Sequence, residues 1–124
     1  MRLVLALTFS VILLFQAAAT PVWAAPAASL RTDTLRRYVF LTFTGLPEVS
    51  RISYTLMYDS NGITRGFEGG FRPKSKINRS TRRQILGTCS SARCVFHKNP
   101  KKFQLEVVFT LRSGETSTVT KNLQ

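Results

Sequence analysis

The sequence predicts an all-β protein: a seven-stranded immunoglobulin- or fibronectin-like β-sandwich following an N-terminal signal peptide. Three observations carry this expectation. The clearest hydrophobic periodicity is of two, turn signals recur every eight to twelve residues, and no stretch after the amino terminus has a helical pattern. The composition agrees, since 44% hydrophobic and 19% charged residues among 124 suit one globular domain and argue against disorder, a collagen-like repeat or a coiled coil. One His and two Cys argue against a multi-ligand metal cluster or a densely cross-linked scaffold.

Residues 1–24 read as an export signal. Arg2 gives a short positive start, Leu3 to Phe15 is free of charge, and small residues lead to Val22-Trp23-Ala24. Cleavage after Ala24 removes 24 of 124 residues and lowers the net charge from +12 to +11. A cut after Ala19 is the second choice. Left uncut, Leu3–Ala19 would be a membrane anchor at the short limit of a bilayer span. The destination is therefore secreted, extracellular or periplasmic, with membrane anchoring the alternative. Residues 25–35 read as a flexible lead-in and residues 36–124 as the sandwich domain.

Tyr38 to Thr44 (YVFLTFT) is a strand with apolar groups on both faces, closed by Gly45-Leu46-Pro47. Ile52 to Tyr58 alternates, with Ile52, Tyr54, Leu56 and Tyr58 on one side, and Asp59-Ser60-Asn61-Gly62 turns the chain. Ile63 to Phe71 is a glycine-punctuated strand in which Gly66, Gly69 and Gly70 suggest bulges or close backbone approach. Arg82–Thr88 and Arg93–His97 follow. Phe103 to Leu111 has apolar residues at every odd position, and Glu115 to Lys121 returns as a Thr-rich strand. A three-residue loop with Gly114 left-handed would pair Val107 with Val119 and Phe109 with Ser117.

Cys89-Ser90-Ser91-Ala92-Arg93-Cys94 is the sharpest local feature. A two-residue turn at Ser91-Ala92 places Cys89 opposite Cys94, within reach of a disulfide that an exported chain can keep. A redox pair would be spaced Cys-x-x-Cys, and with His97 the two thiols supply three zinc ligands where a structural site needs four. No metal or cofactor is expected.

His97 is the one candidate general base near neutral pH. It is read as an exposed polar residue near a strand end. A triad would have to recruit Asp33 or Asp59, and no nucleophile-elbow sequence is present, so no catalysis is expected. Asn78-Arg79-Ser80 matches a glycosylation acceptor, of consequence only in a eukaryote.

Charge is unevenly placed. Arg72, Lys74, Lys76, Arg79, Arg82 and Arg83 fall within twelve residues that contain no acid, and Lys98, Lys101 and Lys102 form a second cluster. These nine residues are the candidate polyanion-binding set. Nucleic acid, acidic glycan or anionic lipid of the cell envelope would be the partner. No interleaved aromatic platform is visible in the basic loop. The competing expectation is a structural or adhesive protein-interaction domain whose charge serves solubility and edge protection, with a protein partner bound by strand addition. Nothing in the sequence sets the oligomeric state.

At Ile52–Gly62 (ISYTLMYDSNG) and Gly87–His97 (GTCSSARCVFH) the chain resembles short exported bacterial proteins with a fibronectin-like sandwich and no assigned activity. The resemblance covers most of residues 38–122. It implies a bacterial secreted or surface protein and transfers no catalytic or binding residue.

Overall fold

The computed structural model describes residues 25–124; the expected signal peptide lies outside them. Among the described residues the regular structure is all strand. The elements are β1 (Ala27–Thr32), β2 (Tyr38–Thr44), β3 (Val49–Ser60), β4 (Ile63–Phe71), β5 (Arg79–Ile85), β6 (Gly87–Ser90), β7 (Arg93–Phe96), β8 (Pro100–Leu111) and β9 (Thr116–Leu123). Three antiparallel sheets result, ordered β1-β2-β5, β4-β3-β8-β9 and β6-β7.

The two larger sheets share one core. Val39, Leu41 and Phe43 come from β2, Ile52, Leu56 and Tyr58 from β3, and Phe103, Leu105, Val107 and Phe109 from β8. Alternation along each strand puts these on one face, and each large side chain removed from water contributes about 1.5–3 kcal/mol. Phe43 sits at the aromatic centre, with ring centroids of Tyr54 and Phe71 at 5.6 Å and Phe109 at 6.3 Å.

The β8–β9 hairpin has the expected register, Val107 opposite Val119 and Phe109 opposite Ser117, with Gly114 at φ 93°. The cysteine hairpin also follows the local pattern: Cys89 faces Cys94, their Cα atoms are 4.0 Å apart, and the disulfide is formed.

Four expectations are corrected. Nine strands replace seven. Ala27–Thr32, expected within a flexible lead-in, is β1 and pairs along its whole length with β2, burying Ala28 and tucking Leu30 against the core. The stretch expected as one strand over Arg82–Thr88 is divided at Leu86, whose side chain is fully buried. The Leu86 amide donates to the Arg37 carbonyl, and its own carbonyl accepts from the His97 amide, so the chain changes partners there. Strand β4 pairs with β3 without a register shift, so its glycines mark no bulge. At Gly69 the reason is close approach, because the Tyr54 ring opposite occupies the space a Cβ would need. The irregularities of the larger sheet lie instead between β3 and β8, where Lys102 takes φ 55°.

The strand ends define two poles. One holds the β1–β2 turn, the β3–β4 turn, the β6–β7 hairpin and the start of β8; Arg36 of the β1–β2 turn donates to the carbonyls of Pro100 and Gln124 there. The other holds the β2–β3, β4–β5 and β8–β9 connections. Strands β1 and β9 flank the same side of the molecule, touch, and run in the same direction between the poles.

Candidate functional site

The outer face of the β1-β2-β5 sheet brings together residues that no local window of sequence shows side by side. Register places Phe40 of β2 directly between Arg31 of β1 and Arg83 of β5. The Arg31 guanidinium lies over the Phe40 ring at 4.2 Å, and that of Arg83 lies over the Tyr38 ring at 4.9 Å. Neighbouring strands are about 4.8 Å apart, so Arg31 and Arg83 stand about 10 Å from each other across the sheet. Toward the far pole the same face carries Ser29, Thr42 and Thr81, then Arg79 beside Thr44. The Thr42 and Thr81 hydroxyls are hydrogen-bonded at 3.2 Å.

The disulfide hairpin extends this surface. Phe96 of β7 meets Tyr38 edge-on at 5.9 Å, and Arg37 stacks on Phe96 at 4.9 Å. A cleft of about 420 Å³ opens between hairpin and sheet, lined by Tyr38, Arg83, Gln84, Ile85, Cys89 and Cys94. Strands β1, β2, β5, β6 and β7 contain no acidic residue. On the other sheet, Glu68 and Glu106 both flank Thr55 on the outward face. The three-stranded sheet is thus the one whose strands carry cations and rings without a carboxylate.

Asp33 sits in the β1–β2 turn, where its carboxylate accepts backbone N–H groups of Arg37 at 2.8 Å and Tyr38 at 2.9 Å. The hydrogen bond from Tyr38, more than any other influence, holds its pKa below the usual carboxylate value of 3.8, with the Arg37 bond and charge adding to it. The carboxylate is thus engaged in shaping the turn that presents Arg37 and Tyr38.

The nine cations singled out in the sequence do not form one surface. Arg79 and Arg83 join the aromatic face. Arg82, between them in phase, points to the core side and spans the gap to β4, its guanidinium 4.0 Å from the Phe71 ring centre. Arg72, Lys74 and Lys76 occupy the β4–β5 connection at one pole, whereas Lys98, Lys101 and Lys102 surround the start of β8 at the other. Phe71 pairs with Ile52 and Pro100 with Ser60, which separates the clusters by eight steps of β3, roughly 26 Å. Arg31, Arg37, Tyr38, Phe40 and Phe96 were not anticipated as site residues; the one signal was the apolar character of both faces of Tyr38–Thr44.

His97 is half-buried rather than an exposed strand-end residue. Its Nδ1 lies 2.6 Å from the hydroxyl of the buried Tyr58, which stacks on Phe103 at 5.5 Å. Burial depresses the His97 pKa from 6.5, and the positive charge of Arg65 opposite Tyr58 depresses it further. Neither Asp33 nor Asp59 is hydrogen-bonded to it, and its contact is a structural tie between the β7–β8 link and β3.

Among the described residues there is no group of three or more His, Cys, Asp or Glu placed to hold a metal ion, and no helix long and apolar enough to cross a membrane. No family model, curated protein or solved structure matches the chain.

Proposed function

We propose that the protein is an exported, non-catalytic binding module that takes anionic polymers on the outer face of its three-stranded sheet. The observation that carries this reading is the surface, built on strands without an acidic residue, on which Arg31, Arg37, Arg79 and Arg83 surround Tyr38, Phe40 and Phe96. Four cations beside a single carboxylate, that of Asp33, concentrate a positive potential, which attracts polyanions over a Debye length and holds them on contact. The Cys89–Cys94 disulfide fits an oxidising destination outside the cytoplasm.

The architecture fits a fibronectin-like sandwich with an inserted hairpin, in keeping with the resemblance to short exported bacterial proteins. Seven strands divide three and four, and β4 lies beside β3. In the constant-type immunoglobulin order the fourth strand joins the sheet of the first, second and fifth instead.

Heparin-column elution of two charge-matched variants tests the surface. Arg31→Glu with Arg83→Glu should elute at clearly lower salt than Lys98→Glu with Lys101→Glu. Equal shifts would mean that net charge alone acts and would end the assignment to this face. Wild-type elution no later than a neutral control would favour a protein partner bound by strand addition.

A further inference from the structure

We infer that the anionic polymer is a single-stranded nucleic acid, whose unpaired bases stack on the Phe40 and Tyr38–Phe96 platforms while Arg31, Arg37, Arg79 and Arg83 hold its phosphates. The inference rests on the binding face proposed above and names its ligand.

Three rings share this face with four cations. A polyanion held by charge alone needs only the cations, and the two polar clusters of Lys and Arg would serve it equally well. The rings are half-buried and each has a guanidinium over it; rings alternating with guanidinium planes are the arrangement that receives flat, apolar bases joined by a charged backbone. Tyr38 and Phe40 are two residues apart on one face of β2, so the platforms stand about 7 Å apart along the strand. Beyond Tyr38 the cleft beneath the disulfide hairpin, lined by Arg83, Gln84, Ile85 and the two cysteines, offers a further position. The guanidinium planes of Arg31 and Arg83 already lie over rings, and each can itself carry a base on its open side.

Duplex DNA does not meet these features. Its bases show only their edges, and a sheet with outer strands about 10 Å apart is too broad for a minor groove about 6 Å wide. No helix is present among the described residues to enter a major groove. The contacts offered are to ring faces and phosphates, so binding would be tolerant of sequence.

The test is fluorescence anisotropy with a labelled twelve-nucleotide oligothymidylate, competed by a duplex of the same length and by heparin. The oligothymidylate should bind more tightly than the duplex. Its log K against log salt should have a slope of about −3, from four neutralised phosphates on a single strand. Phe40→Leu should weaken oligothymidylate binding about tenfold and leave heparin within a factor of two. Phe40→Trp provides a readout independent of that substitution's effect on folding: its added fluorescence should be quenched by oligothymidylate and not by heparin. Equal affinity for all three polymers, with no effect of Phe40→Leu and no quenching in Phe40→Trp, would overturn the nucleic-acid inference while leaving the polyanion reading intact. Failure of all three polymers to bind would remove both.

Discussion

The Tyr58 hydroxyl stands 2.6 Å from Nδ1 of His97, joining the end of β3 to the link between the disulfide hairpin and β8. Tyr58→Phe keeps the stacking on Phe103 and removes this bond. The expected loss is about 1 kcal/mol, read as a lower midpoint in urea with an unchanged slope.

The same pair makes stability depend on pH in a set direction. The folded state holds the His97 pKa below 6.5, so as pH falls through 6.5 the unfolded chain takes up a proton that the folded chain resists. The stabilisation is complete above 6.5 and is lost as pH falls through the depressed folded value. Thermal melts between pH 8 and pH 5 should show a falling Tm in wild type, and a flatter profile in His97→Gln. A Tm that rises on acidification over this window would contradict the assignment.

Asp33 acts in the same sense at lower pH. Its folded pKa lies below 3.8, so the stability it lends is present above that value and lost as pH falls below it. Asp33→Ala should loosen the β1–β2 turn and with it the presentation of Arg37 and Tyr38, whereas Asp33→Asn retains an acceptor for both amides. Amide exchange at Arg37 and Tyr38 separates the two variants: fast in alanine, near wild type in asparagine.

Gly69 and Tyr54 test the packing of β4 on β3. A methyl group at Gly69 collides with the Tyr54 ring, which is itself set between Phe43 and Phe67. Gly69→Ala should cost about 1–3 kcal/mol. In a Tyr54→Leu background the same change should cost markedly less, and a double-mutant cycle by denaturant unfolding measures that coupling.

Reduction of Cys89–Cys94 should leave the two larger sheets folded. The bond closes a very short loop, so its effect on the unfolded chain stays below about 3 kcal/mol, and β6 and β7 pair only with each other. Hydrogen exchange after reduction should quicken over residues 87–96 and stay slow in β3 and β8. Global unfolding on reduction would show that the hairpin contributes more than its own pairing.

Much of the fold was legible where one strand alternates cleanly and its turn is short. Phe103–Leu111 declares its dry face, and Gly114 then fixes its partner's register; Ser91-Ala92 does the same for the cysteines. Strand β1 was illegible because Ala28 and Leu30 are its only inward apolar residues, and alanines and a serine read equally well as a spacer. The division at Leu86 depends on where Arg37 and His97 lie in space, which local pattern does not encode. The candidate site was the least legible part. Arg31, Phe40 and Arg83 become neighbours only through the pairing of β1 and β5 on either side of β2, and the period of a strand sends Arg82 inward between two outward residues.

The parallel course of β1 and β9 along one flank has a mechanical consequence. The described chain enters β1 at one pole and leaves β9 at the other, so tension applied through Ala25 and Gln124 runs lengthwise along both strands. Their ladders to β2 and β8 would be loaded in shear, with many hydrogen bonds strained together instead of parting one after another as in a zip. A domain tethered at its ends would resist stretching until several rungs yield at once.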